Sequence, residues 1–277
     1  MKIYLNGDFV DANEAKVSIF DAGFLYGAGL FETMRAYNGT IFALDRHLDR
    51  LTTAARILEF PSIPSAAELQ GVCNEVITVN KLSDARVRLT VSWGESAYDH
   101  ATVAISASPY SGYERELYEN GMSAITLPGY RCSNTLLATV KSTSYFASVL
   151  ARKEAVATGC DEALLTNEHS HITEGSISNV FAVVDGVIST PRVADGLLPG
   201  VTREVVIEVI ADSGYELIQR SIHKDELFRF DELFLTNSLM EIMPLTQVDG
   251  NRIGAGSPGQ ITIDISRHFK GYVRTTI

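Results

Sequence analysis

Cysteine is scarce in this chain: Cys73, Cys132 and Cys160 are the three in 277 residues. They lie far apart, cannot all pair and show no C-x-x-C spacing, which argues against a disulfide framework and a cysteine metal site. Reduced thiols in a cytoplasm are the expectation that follows. Positive charge is also short. Lys and Arg number 23 against 34 Asp and Glu, for a formal charge of −11 and a sequence pI of about 5.0, and neither end carries a basic run. Nucleic acid and anionic membranes therefore lose their electrostatic support as partners, and a small molecule is the expected ligand. No apolar run approaches membrane-spanning length. The opening "MKIYLNGDFV" runs straight into a strand and a turn, without the basic start and apolar stretch of a secretory leader. A cytoplasmic protein is expected. The histidines, His47, His100, His169, His171, His223 and His268, form no spaced ligand set, so no metal is expected. Internal repeats and low-complexity tracts are missing too.

What is present is an ordinary globular mixture, 45% hydrophobic and 21% charged, long enough for one large or two ordinary domains. "KIYLNGDFV" and "MRAYNGTIFAL" each set Asn-Gly between apolar alternations, the signature of a two-residue hairpin turn whose central residues take positive φ. From Asp45, "DRHLDRLTTAARILEF" places Leu48, Leu51, Ala55 and Leu58 on one helical face, and "SAAELQGVCNEVITVN" reads as a second helix. Strands "RVRLTVSW" and "ATVAISASP" follow. The polar "YSGYERELYENG" reads as a domain connection, dividing the chain into residues 1–115 and 116–277. Beyond it come strand "MSAITLP", a helix from about Ser144 to Thr158, strand "DEALLTN", a hairpin turning at Asp185-Gly186, helix "TREVVIEVIADSG", strands "YELIQRSI" and "ELFLTNS", and a last helix. Hairpins dominate, so the class is α+β and not a regular βαβ repeat.

Several stretches carry chemistry. "TVKSTSYFASVLARKEA" holds Lys141 between an apolar strand end and a helix. A lysine buried there would need a partner or a covalent use, and burial would make it a usable amine nucleophile. "GLLPGVTREVVIEVI" runs a glycine-bounded turn into a helix whose first amides, with the Thr202 hydroxyl, make an anion site; the plain alternative is a capped helix after a turn. Arg50 in "RHLDRL" reads either as a phosphate contact or as a surface salt bridge. "FLTNSLMEIMP" ends a strand with Thr236, Asn237 and Ser238, polar groups where ligands are often held. In "HITEGSISNVF" one acid, Glu174, stands among small residues. A solvated turn is the plain reading of it. Taken together, an amine, a phosphate cradle and a carboxylate on a strand are the set that pyridoxal phosphate requires.

The order of these motifs, "FLYGAGLFETMRAYNG", "HLDRL", "KSTSYFASVLA", "DEALLTN…ITEGSISNVF", "LLPGVTR" and "DELFLTNSLMEIMPL", resembles the class IV aminotransferases. These are the fold type IV pyridoxal-phosphate enzymes, which include branched-chain aminotransferases, D-amino-acid aminotransferases and 4-amino-4-deoxychorismate lyases. The resemblance implies a two-domain α+β fold with the cofactor between the domains, and a homodimer whose partner closes the substrate site. It implies Lys141 as the Schiff-base lysine and proton shuttle, and Glu174 as the pyridine-nitrogen partner, with Gly175 and Ser176 leaving space for the cofactor ring. Arg50, the Val201 and Thr202 amides, the Thr202 hydroxyl and Ser238 would hold the phosphate, and Leu198 would pack on the ring. Tyr26 and Phe31 would line the substrate side.

Departures from the family pattern bear on the reaction. Branched-chain enzymes place Asn-Tyr at the fourth and fifth positions after the lysine, where this chain has Tyr145 and Phe146. If the segment is helical, the hydroxyl is turned about 100° around the axis. Branched-chain enzymes favour Phe-Glu-Gly where this chain has Phe31-Glu32-Thr33. The Arg-x-His carboxylate trap of D-amino-acid enzymes is replaced by Tyr98 and His100 in "SWGESAYDH", which weakens that assignment. Arg88 falls where branched-chain enzymes keep a substrate-side arginine; with Arg86 on the same strand face, it reads equally as part of a solvated face. Transamination of a branched-chain-like substrate is the leading expectation. The lyase reaction, which releases 4-aminobenzoate and pyruvate with the same lysine and cofactor, is the alternative. A noncatalytic binder of the cofactor would have no need of Lys141, Glu174 and a substrate loop together.

Overall fold

The computed structural model describes residues 1–95 and 100–277, which divide into two compact units. The first is built on an antiparallel sheet of β1 (Lys2–Leu5), β2 (Asp8–Asp11), β3 (Gly29–Tyr37), β4 (Thr40–Ile41), β5 (Ala85–Ser92) and β6 (Thr102–Pro109), in the order β2-β1-β6-β5-β3-β4. Both expected Asn-Gly turns form. Asn6 and Gly7 take φ of 50° and 109°, and Asn38 and Gly39 take 49° and 83°, values that suit a primed hairpin turn. Strand alternation puts Leu30, Met34, Val87, Leu89, Val91 and Ile105 on a buried face.

Three helices belong to this unit: α1 (Ala22–Tyr26), α2 (Leu44–Ile57) and α3 (Ala66–Val79). The apolar stripe read from sequence is the buried one on α2, with Leu48, Leu51 and Ala55 in the core, while Leu58 falls at the C-cap and is half-buried. Ser65 and Glu68 close a capping box at the start of α3, so two orphan donors are satisfied reciprocally. Cys73 on α3 is buried and its thiol is pushed up to about 12 by desolvation, which makes it a filler rather than a nucleophile.

The second unit contains a ten-stranded mixed sheet. Its strands are β7 (Met122–Pro128), β8 (Glu162–Thr166), β9 (His171–Gly175), β10 (Asn179–Val184), β11 (Val187–Thr190), β12 (Leu217–Gln219), β13 (Ile222–His223), β14 (Glu232–Asn237), β15 (Glu241–Val248) and β16 (Asn251–Arg252). The order is β12-β11-β10-β14-β15-β7-β8-β9-β13, with β16 paired to β15. Its helices are α4 (Arg115–Asn120), α5 (Phe146–Ala157), α6 (Val201–Asp212) and α7 (Gln260–Thr276). Phe181 and Phe234 stack at 4.8 Å in its core. No helix among the described residues is long and apolar enough to cross a membrane.

"YELIQRSI", expected as one strand, is two. Leu217–Gln219 pairs with β11 and Ile222–His223 pairs with β9, at opposite ends of the strand order. Three residue steps span at most about 11 Å, so the two ends of this sheet are drawn together and one continuous strand cannot serve both.

The division of the chain also differs from a single cut after residue 115. The first unit comprises Met1–Ser111, Val140–Tyr145 and Ile277, and the second comprises Gly112–Thr139 and Phe146–Thr276. The lysine segment therefore belongs to the first unit and not to the C-terminal one. Backbone pairing is the reason: Phe31 N donates to Lys141 O (2.9 Å), Thr143 N donates to Gly29 O (2.7 Å), and Leu30 and Ser142 form a bridge.

Candidate active site

Within the first unit, the stitching to β3 sets Lys141 beside an aromatic pair. Its Nζ is 4.5 Å from the Phe31 ring centroid and 5.9 Å from that of Tyr145, and the two rings meet edge to face at 5.3 Å. Tyr145 precedes α5, which begins at Phe146, so the helical rotation expected for its hydroxyl does not apply. Arg88 stacks on the same Phe31 ring, its Cζ 3.5 Å from the centroid. Its hydrogen bonds, to Thr90 and Thr33 hydroxyls, are both 3.3 Å. Among the described residues Arg88 has no carboxylate within ion-pair distance, and burial, then the neighbouring Arg86, lowers its pKa to about 10. The solvated-face reading of Arg88 is thus corrected, because the side chain is held against Phe31 and largely desolvated.

Behind Phe31 lies a charged group in the core. Glu32 is fully buried on the face that meets α2. Arg50 grips it with a fork, Nε to Oε1 at 2.8 Å and Nη2 to Oε2 at 2.6 Å, and His47 Nδ1 lies 2.7 Å from Oε2. Desolvation raises the Glu32 pKa, but Arg50 and His47 outweigh it and bring the carboxyl down to about 2. An ionised carboxylate only accepts, so His47 Nδ1 is the donor. Burial pushes His47 below its ordinary value against the pull of Glu32, with Arg50 and Lys141 adding to the fall. Arg50 is not the surface salt bridge weighed for it. Its side chain is 15% exposed and its direction is dictated by a buried acid.

Tyr26, expected at the substrate side, is 77% exposed on α1. His100 is exposed, and its backbone bridges Ser62. Tyr98 lies outside the described residues.

The second unit gathers the other expected residues. Glu174, on β9, is 3% exposed, which overturns the solvated-turn reading. Its Oε1 is 2.6 Å from Arg131 Nη2, and its Oε2 accepts from Leu198 N at 3.1 Å. Packing within the unit itself requires Gly175. A Cβ there would lie 2.1 Å from Ser178 Oγ and 3.0 Å from Glu162 Oε2. Glu162, itself buried, accepts from Ser176 N at 3.1 Å, from the Ser176 hydroxyl and from Ser178 Oγ at 2.9 Å, and so fixes the turn that follows Glu174.

The loop that donates to Glu174 runs on into α6. Gly200 is the N-cap, with no side-chain cap, so the first amides of the helix, Val201 and Thr202 among them, have neither an intrahelical nor a capping acceptor. Asn179 Nδ2 donates to Leu198 O at 2.9 Å, and a Cβ on Gly200 would meet Asn179 Oδ1 at 2.1 Å. β14 packs against α6 and ends in Thr236, Asn237 and Ser238. The Thr236 hydroxyl is buried with no hydrogen-bond partner, and Asn237 Nδ2 donates to Ile177 O at 3.1 Å, tying this strand end to the turn beyond Glu174. An uncapped helix start, an orphaned hydroxyl beside Ser238 and a buried acid fit a phosphorylated pyridine ring. Leu198 is half-buried between Glu174 and this helix start.

Sequence reasoning missed Arg131, which sits in "GYRCSN" without periodicity or motif, and the pairing of Glu32 with His47 and Arg50. For the latter a signal existed, since an acid in an apolar strand followed by "RHLDR" requires a cationic neighbour.

Residues 29–248 match the family model described as amino-transferase class IV. A Methanocaldococcus jannaschii protein provisionally named branched-chain-amino-acid aminotransferase is 39% identical, over 98% of this chain and 96% of the relative. The crystal structure of Escherichia coli branched-chain amino acid aminotransferase superposes with a TM-score of 0.93 at 31% identity, covering 98% of this chain and 94% of that one. A second branched-chain amino acid aminotransferase, from T.th. and complexed with N-(5'-phosphopyridoxyl)-L-glutamate, superposes with a TM-score of 0.91 at 30% identity, covering 98% and 93%. With the family model spanning most of the chain, and with relatives and folds agreeing over nearly all of it, this protein belongs to the class IV aminotransferase family.

Proposed function

We propose that this protein is a pyridoxal-phosphate-dependent aminotransferase that exchanges an amino group between a branched-chain amino acid and a dicarboxylic 2-oxo acid. The observation that carries this reading is the Phe31 ring, with an amine 4.5 Å from its centroid and a carboxylate-free guanidinium stacked at 3.5 Å. Phe31 and Tyr145 offer an apolar wall to an aliphatic side chain. Arg88 offers a cation to the second carboxylate of a glutamate-like substrate. The phosphopyridoxyl-glutamate complexed with the second structural neighbour supports that half of the reading.

Pyridoxal phosphate, when bound, supplies an aldehyde to hold the substrate amine and a ring that draws electrons from its Cα. Lys141 would be the amine that holds the cofactor and the base that moves the substrate's proton. Glu174 would hold the ring nitrogen. The amides of Val201 and Thr202, the hydroxyls of Thr202 and Ser238, and Arg50 are the groups that would hold the phosphate, and Leu198 the one that would pack on the ring. Tyr26 and His100 would serve the substrate side. A homodimer is supported by the run Val17, Ile19, Phe20, Phe24, Leu25 and Tyr26, whose exposures of 49–77% leave a large apolar strip for a second copy to cover.

The test is a half-reaction: holoenzyme mixed separately with L-leucine, L-glutamate and D-alanine, following the cofactor's visible band. Loss of the band with the two L-amino acids and formation of pyridoxamine phosphate is expected. An unchanged band with both refutes the aminotransferase. Release of 4-aminobenzoate and pyruvate from aminodeoxychorismate would then assign the lyase.

A further inference from the structure

Arg131 belongs to no sequence motif, yet it is ion-paired to the acid assigned to the pyridine nitrogen. It lies between β7 and α5, with Nη2 2.6 Å from Glu174 Oε1. Both side chains are largely out of water, at 19% and 4% exposed. The other contact of Nη2 is long, 3.4 Å to Ser148 Oγ, and Nε is buried without a hydrogen-bond partner. A guanidinium that cross-links two segments commonly presents a fork of two nitrogens, as Arg50 does to Glu32. Arg131 Nη2 lies against Glu174 Oε1 at 2.6 Å, while Leu198 N donates to Oε2 at 3.1 Å.

A carboxylate buried to this extent gives up its charge unless a cation stands beside it. The acid that faces a protonated ring nitrogen must be an anion, because a neutral carboxyl would offer its own proton instead of accepting one. A cation against one oxygen and an amide donor on the other also fix the plane of the carboxylate, which the side chain's rotatable bonds alone do not.

We propose that Arg131 is the positioning residue of Glu174, holding its carboxylate ionised and in one orientation to receive the cofactor's ring nitrogen. This rests on the assignment of Glu174 made under the proposed function.

The test is a double-mutant cycle read as pyridoxal phosphate affinity, using wild type, R131Q, E174Q and the double variant, with R131K as the conservative control. R131Q is expected to weaken binding about tenfold when Glu174 is present and less than about twofold in the E174Q background, a non-additivity that marks one residue acting through the other. R131K recovers part of the loss. Equal weakening in the two backgrounds, or none in either, overturns the proposal. A role confined to anchoring the loop would lower thermal stability but leave the affinity cycle additive. A wild-type protein that binds no pyridoxal phosphate would overturn the assigned function instead. The pair is then decided in the cofactor-free protein by the same cycle in thermal midpoints at pH 7, where coupling is expected and additivity refutes it.

Discussion

Replacing Glu32 with glutamine keeps the shape of the side chain and removes the charge between Arg50 and His47. The wild-type carboxyl falls from 4.5 to about 2 in the folded protein. At about 1.4 kcal/mol for each tenfold change in proton affinity, that fall stabilises the fold by about 3 kcal/mol at neutral pH. The folded pKa is depressed, so this stability is fully present above the unfolded value near 4.5 and is lost as pH drops toward 2. By pH 3 about 2 kcal/mol of it is gone. The variant has no such group to titrate. His47, which burial holds below its ordinary value against the pull of Glu32, also loses stability as pH falls and does so further once that pull is removed, so both proteins carry H47Q and Glu32 is the titrating difference between them. Denaturant unfolding of both cofactor-free proteins at pH 7, 5, 4 and 3 measures the difference. It is expected to start near 3 kcal/mol and shrink to about 1 kcal/mol at pH 3. A gap that stays constant with pH, or no gap at pH 7, refutes the claim that a buried ionised carboxylate organises this part of the site.

Arg88→Met should lower kcat/KM for L-glutamate about 10- to 100-fold, the loss of a hydrogen bond between charged groups, and change that for L-leucine less than about threefold, as steady-state kinetics would show. Gly200→Ala places a Cβ 2.1 Å from Asn179 Oδ1; the loop must shift, and titration should show pyridoxal phosphate affinity reduced at least about tenfold. Phe234→Ala removes a fully buried ring stacked on Phe181 and should cost about 3–5 kcal/mol in unfolding free energy, with no direct effect on residues of the site.

The motifs of the site were legible because each obeys a local rule. The glycine-bounded entry to α6 announces an uncapped helix start, and the Asn-Gly and Asp-Gly pairs announce turns whose positive φ values are observed at Asn6, Asn38 and Asp185. The amphipathic stripe of α2 follows from a period of 3.6 residues. Contacts between segments distant in sequence were not legible. Arg131 meets Glu174 across 43 positions, and nothing in "GYRCSN" points to β9. "YELIQRSI" reads as one strand since local alternation does not register that two different partners claim its halves.

Sequence alone determined the class of the fold, the family and the residue types of the site, because turn chemistry, helix periodicity and motif order are all short-range. Only the tertiary structure decided that Lys141 is stitched to β3 in the first unit. It alone decided that Glu32 is ionised in the core and that Glu174 is buried with the Arg131 guanidinium beside it. Charge states depend on desolvation and on which side chains converge, and both are set when the chain closes on itself.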